Sequence, residues 1–302
     1  MDYYVGIDLG GTNTKIGLLN IEGDILKSSI IKTLSSEGVD KTMERIWSVI
    51  QELAKETDVN IENVKGIGMG IPGPVEDQSI VAFFANFPWG TNVNVKEKLE
   101  KITGIDTKLD NDANIIALGE AKYGAAKGSK SSVTVALGTG IGGGIYVNGM
   151  LISGFKGAGG EIGHMKIVKD GRVCGCGQKG CFEAYASATG LIREAVSRLT
   201  VNKQNLLYTM IEGNIAGLEA KDIFDAAKEG DAFSLDLVDY EAEYLAMGIA
   251  NILNIINPET IVLGGGVALA GDILLDPLRK KLEKYALPVT LEDLKIVQGI
   301  LG

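Results

Sequence analysis

The chain has 302 residues, 45% of them hydrophobic, and 29 basic against 39 acidic residues give it a net charge of −10. That length allows one large core or two modest ones, and the acidic balance disfavours a nucleic-acid backbone as the main partner. No apolar run is long enough to cross a membrane and MDYYVGIDLGG carries no secretory leader pattern, so a cytoplasmic protein is expected.

Residues 5–20, VGIDLGGTNTKIGLLN, predict a strand, a glycine turn and a second alternating strand that ends near the turn signal Asn20–Gly23. Asp8 closes the first strand, just before Gly10, Gly11 and Thr12. Glycine turns cradle phosphates with backbone N–H groups, because only a missing side chain permits so close an approach. A carboxylate beside such a turn is placed to hold a magnesium ion, usually through water, with Thr12 as a hydroxyl donor and Lys15 as a point charge. The plain alternative for Asp8 is a solvated turn residue. KTMERIWSVIQELAKE (41–56) repeats Met43, Ile46, Ile50 and Leu53 at helical spacing. GIGMGIPGPVED (66–77) reads as a strand running into a Gly-Pro turn. TKLDNDANIIALGEAKYG (107–124) passes from a short strand into a helix expected to pack Ile115, Ile116 and Leu118, with Asp112 at or near its start. A helix N-terminus stabilises negative charge, so Asp112 is either an ionised proton acceptor or a plain N-cap.

The next segment repeats the first. Residues 133–148, VTVALGTGIGGGIYVN, align without gaps on 5–20, with Gly138, Thr139 and Gly140 as a second turn and Ala136 in place of Asp8. A duplicated strand, glycine turn and strand with interleaved helices implies two similar α/β lobes facing a cleft, their two turns holding one polyphosphate. Helices are expected near 183–199 and 239–256, the latter stopped by Pro258, followed by a strand at TIVLGGG (260–266). Gly138, Gly140 and Gly143 match G-x-G-x-x-G, as do Gly68, Gly70 and Gly73, but neither set leads into a helix, so dinucleotide binding is rejected. No Walker A loop occurs.

All three cysteines and the only histidine lie between His164 and Cys181. His164, Cys174, Cys176 and Cys181, with glycines at 175, 177 and 180, fit a tetrahedral Cys3His zinc site. The bland alternative is three buried thiols and a core histidine. Four protein ligands leave no open position, so the ion would be structural, with His164 binding through one ring nitrogen and facing substrate with the other.

DLGGTNTKIG, GIPGPVE, NFPW, DNDANIIALGE, LGTGIGGGIYVNG, GAGGEIGHM and CGCGQKGCFEAYAS, in this order, resemble the ROK family (repressors, open reading frames, kinases), most closely its bacterial glucokinases. The resemblance covers nearly the whole chain. It implies a duplicated actin-like ATPase (ribonuclease H-like) fold that closes two lobes over ATP, Mg2+ and a hexose. On that basis residues 1–111 would form the small lobe and 112–302 the larger one, with the last residues returning to the small lobe. The resemblance makes Asp112 the general base for the sugar 6-hydroxyl and Asn86, Asn111, Glu161, His164 and Glu183 the sugar ligands. It makes the two turns phosphate loops and Gly264, Gly265 and Gly266 a loop near the adenosine. The expected reaction is ATP-dependent phosphorylation of glucose. A kinase for fructose, allose or N-acetylmannosamine is the alternative, as is a non-catalytic sugar-binding regulator. Homodimers or homotetramers are common in the family. Two features depart from its pattern. The chain stops at KIVQGILG, where members usually continue into an Ala/Gly-rich helix, so it is either naturally short or truncated. The family's repressors carry an N-terminal helix-turn-helix, whereas here the first strand begins by residue 3, and with a net charge of −10 a DNA-binding repressor is not expected.

Overall fold

The computed structural model describes residues 1–84 and 87–301, grouped into two compact units: Met1–Ile116 with Ser153–Gly159, and Ala117–Ile152 with Gly160 onward. The first unit contains β1 (Tyr3–Leu9), β2 (Asn13–Asn20), β3 (Ile25–Lys32), α1 (Val39–Glu56), β4 (Val64–Ile71), β5 (Val75–Glu76), β6 (Ile80–Phe83), β7 (Thr91–Asn94), α2 (Val95–Thr103) and β8 (Thr107–Asn111). Helix α3 (Asp112–Lys122) starts in the first unit and ends in the second. The second continues with β9 (Ser131–Leu137), β10 (Ile141–Val147), β11 (Met150–Leu151), α4 (Glu183–Ala186), α5 (Ala188–Leu199), α6 (Leu206–Met210) and α7 (Ala220–Lys228). It ends with α8 (Ala232–Ile256), β12 (Thr260–Gly264), α9 (Asp272–Tyr285), α10 (Pro288–Leu291) and β13 (Lys295–Gln298).

Each unit is built on the same five-stranded sheet, ordered β3-β2-β1-β4-β8 in the first and β11-β10-β9-β12-β13 in the second. The hairpin strands run antiparallel and the last three strands run parallel in both. The ungapped repeat therefore holds at the level of structure: Tyr3–Leu9 corresponds to Ser131–Leu137, and both second strands begin three residues after their glycine turn opens. This is the duplicated α/β topology of the actin-like ATPase fold. β1 buries Val5, Ile7 and Leu9 and leaves Asp8 exposed, the alternation of a strand covered on one face. α1 lays Met43, Ile46, Ile50 and Leu53 against that sheet's core. No helix among the described residues is long and apolar enough to cross a membrane.

Three local expectations need correction. α3 buries Ala113, Ala117 and Ala121 rather than Ile115, Ile116 and Leu118, and Ile116 is exposed. Alanines four apart make one smooth helical face that packs closely, which leaves Ile115 and Leu118 half-buried at its sides. The helix expected over 183–199 is broken at Ser187, whose extended backbone separates α4 from α5 while its hydroxyl accepts the Gly190 N–H. β12 stops at Gly264 because Gly265 turns to φ 80°, where a Cβ would stand 2.5 Å from the Leu137 carbonyl oxygen.

Among the buried polar groups of the second unit, one carboxyl is at odds with its surroundings. Glu241 on α8 is fully buried, and neither carboxylate oxygen has a partner among the described residues. Burial pushes its carboxyl well above the ordinary carboxylate range. The fold thus binds this proton more tightly than the unfolded chain does, so its unfavourable effect on stability grows as pH rises above the ordinary carboxylate value. Glu241→Met is expected to stabilise the protein by about 1–3 kcal/mol, the cost of an unsatisfied buried polar group. The gain should be larger at pH 8 than at pH 5 in denaturant titrations, and a gain independent of pH would show that Glu241 does not titrate in this way.

Candidate active site

In the first unit three parallel strands end side by side. Asp8 on β1 pairs with Gly70 on β4, and Gly70 pairs with Asp110 on β8, which leads directly to Asn111 and Asp112. The C-terminal ends of parallel strands are where open α/β sheets bind ligands. A Cβ added at Gly70 would stand 3.6 Å from the Cα of Asp112 and from the Ile115 side chain, so β4 lies directly against the start of α3. Asp112 is the first residue of α3. Its Oδ1 accepts the Ala113 N–H at 2.8 Å, and Asn111 Oδ1 accepts the same N–H at 2.9 Å. Asn111 thus makes the N-cap bond, and its amide donates to the Gly73 carbonyl at 3.2 Å.

The first glycine turn joins β1 to β2. The Gly10 N–H donates to the Asn13 carbonyl at 3.0 Å, and a Cβ on Gly10 would lie 2.7 Å from that oxygen, so only glycine fits. Gly11 and Thr12 are exposed at the tip. Asp8 and Lys15 face each other across the hairpin at 3.5 Å, both side chains more than half exposed. Such a pair is weak, which leaves the Asp8 carboxylate open to a hydrated divalent cation. Asn86 lies outside the described residues.

The second unit brings together most of its expected site residues. The Gly138–Gly140 turn joins β9 to β10 and exposes Thr139. Its Gly138 carbonyl accepts the Ala188 N–H at the start of α5. The Ile141 N–H donates to Glu183 Oε2 at 3.0 Å, and a Cβ on Gly140 would meet that same oxygen at 2.1 Å. Gly265 packs on Leu137, which sets the loop at Gly264, Gly265 and Gly266 beside this turn.

His164, Cys174, Cys176 and Cys181 each place a ligand atom within 4.8 Å of all the others. Cys176 and Cys181 sulfurs are 3.7 Å apart, and His164 Nδ1 is 3.8 Å from Cys174 Sγ. A tetrahedron with metal–sulfur bonds of about 2.3 Å has edges of about 3.8 Å, so the donor set and its spacing fit a closed four-coordinate ion. Burial pushes the Cys174 thiol up to about 12, whereas a backbone hydrogen bond at Gln178 holds Cys176 below the ordinary thiol value. Three neighbouring thiolates need a cation to exist together. Lys166, which no local pattern singles out, supplies one nearby: its Nζ donates to Cys181 Sγ at 3.0 Å and to the His164 carbonyl at 2.9 Å. With Nδ1 toward the cysteines, His164 turns Nε2 toward Glu161, 3.9 Å from its Oε2. Glu183 spans the cluster and the turn, since its Oε1 accepts from Cys174 Sγ at 3.3 Å.

The family model described as "ROK family" matches residues 4–298. The chain is 41% identical over 302 residues to a glucokinase of Halalkalibacterium halodurans, covering 99% of this chain and 91% of the relative. It is 38% identical over 306 residues to a glucokinase of Thermotoga maritima, covering 99% and 95%. Among solved structures, a ROK family glucokinase from Streptomyces griseus in complex with glucose and AMPPNP superposes with a TM-score of 0.83 at 31% identity, over 99% of this chain and 95% of that one.

Proposed function

The chain belongs to the ROK family, and from that premise we propose that it transfers the terminal phosphoryl group of ATP to the 6-hydroxyl of glucose, giving glucose 6-phosphate and ADP. The observation that carries this reading is the match to glucokinases along nearly the whole chain. The site chemistry supports it. Phosphoryl transfer asks little covalent help of a protein, so positioned phosphates, a neutralising cation and a base are sufficient. Asp112 takes the proton of the 6-hydroxyl as its oxygen attacks the γ-phosphorus and the bond to the β-phosphate oxygen breaks. Asn111, Glu161, His164 and Glu183 hold the sugar hydroxyls, with Asn86 assigned by resemblance alone. A sugar needs several paired donors and acceptors, which amides, carboxylates and an imidazole provide. The Gly10–Thr12 and Gly138–Gly140 turns hold phosphates, and the Gly264–Gly266 loop lies toward the nucleoside. Asp8, with Lys15 beside it, would hold Mg2+, which when bound neutralises charge on the phosphate oxygens. His164, Cys174, Cys176 and Cys181 would hold Zn2+, which keeps Glu161 and Glu183 in place without touching the reacting atoms.

A coupled assay with ATP–Mg2+ and a panel of glucose, fructose, allose, mannose and N-acetylmannosamine tests the proposal. Glucose is expected to give the highest kcat/KM. A higher value for another hexose would reassign the substrate, and no turnover on any of them would remove the kinase reading in favour of a sugar-binding regulator.

A further inference from the structure

The residues that shape the first glycine turn are not all within it. Thr33 follows β3, is completely buried, and touches the turn twice and the start of β2 once. Its N–H donates to the Thr12 carbonyl at 3.0 Å, and its hydroxyl donates to the Gly10 carbonyl at 2.6 Å. Its Oγ1 is also 3.0 Å from Oγ1 of Thr14, which is likewise fully buried. A hydroxyl has one proton, and that of Thr33 is committed to Gly10, so Thr14 must donate to Thr33. The result is a directed chain from Thr14 to Thr33 to the Gly10 carbonyl, in which each bond polarises the next. Thr33 is itself held from outside the turn. Arg45 on α1 donates to the Thr33 carbonyl and pairs with Glu37, and the indole N–H of Trp89 donates to the Ser35 carbonyl at 2.8 Å.

We infer that Thr33 is a positioning residue for the nucleotide, fixing the Gly10–Thr12 turn and the start of β2 at Thr14 in the shape that meets the phosphates. This rests on the reading of that turn as a phosphate loop. Thr33 touches neither substrate nor reacting atoms; it acts through Gly10, Thr12 and Thr14. Replacing its hydroxyl with a methyl group, as in Thr33→Val, keeps the volume but leaves the Gly10 carbonyl and the Thr14 hydroxyl each short of a partner. The backbone bond to Thr12 survives, so the turn is loosened rather than lost.

The test is calorimetric titration of AMPPNP–Mg2+ alongside steady-state kinetics with ATP and glucose, on full-length wild type, Thr33→Val and Thr33→Ser. Thr33→Val is expected to weaken nucleotide binding and raise KM for ATP by about 10- to 100-fold, as small misplacements of a binding group do, with KM for glucose nearly unchanged. Thr33→Ser restores the hydroxyl and is expected to restore both values. Unchanged nucleotide affinity in Thr33→Val, no rescue by serine, or an equal loss for glucose would overturn the inference. Should Thr33→Val fail to fold, Arg45→Met withdraws the outer support. A smaller loss of nucleotide affinity is then expected, and none would overturn the inference. If wild type binds AMPPNP but phosphorylates no hexose, the kinase reading fails while the calorimetry still decides the role of Thr33.

Discussion

Asp112→Asn is expected to lower kcat by about 10²- to 10⁴-fold, the usual worth of a positioned general base. Asparagine matches aspartate in size and retains an oxygen able to accept the Ala113 N–H. Asn111 supplies the capping bond independently and would go on doing so. What the substitution removes is a group able to carry away the proton of the 6-hydroxyl. Glucose affinity, measured by calorimetry without nucleotide, should stay close to that of the wild type. A loss confined to kcat identifies an interaction used in the transition state and not in the ground state. Turnover near that of the wild type would place the base on another residue.

Cys181→Ser is expected to have the second-largest effect, on metal content and on sugar binding. Cys181 is fully buried, and its sulfur lies between Cys176 and the Lys166 ammonium. A serine oxygen is a shorter and harder donor, poorly suited to a zinc site of this kind. Purified variant should carry far less than one zinc per chain by elemental analysis and unfold at a lower temperature, because the binding energy of a structural ion is folding energy. His164 and Glu161 are held near the cluster and Glu183 packs 3.3 Å from its Cys174 sulfur, so glucose affinity should fall by about 10- to 100-fold, the range seen when the surroundings of a metal are disturbed. Strong chelation of the wild type should reproduce the loss. Full sugar affinity after complete removal of the ion would refute the link between cluster and sugar.

Much of this was legible in the chain because it is carried by local signals. The repeated hairpin announces itself through glycines and alternation, so 5–20 and 133–148 could be overlaid before their strands were seen. The cysteine and histidine cluster was legible because those residue types occur nowhere else in the chain. What escaped were contacts that have no local pattern. Thr33 meets Gly10 across 23 positions, and nothing near it in sequence marks it from other threonines. Lys166 looks like one more surface lysine until the loop folds it onto Cys181. Ser187 breaks a helix whose apolar spacing runs on past it, because a hydroxyl that can cap a new helix competes with continuation of the old one. Glu241 lies at helical spacing from the buried Leu237, Val238 and Leu245, but a carboxylate is ordinarily a surface group, and only the packing of α8 shows that the spacing prevails.

The two contacts made by Glu183 bear on how this family changes its diet. One oxygen accepts from Ile141, immediately after the second glycine turn, and the other lies 3.3 Å from Sγ of Cys174 in the cluster. As a proposed sugar ligand, the same carboxylate is also a natural target for selection toward a new hexose. Any replacement there would disturb the turn and the cluster together with the sugar, so drift at this position is constrained from three directions. New sugar preferences should therefore arise by changes elsewhere in the pocket, with Glu183 held fixed as lineages diverge.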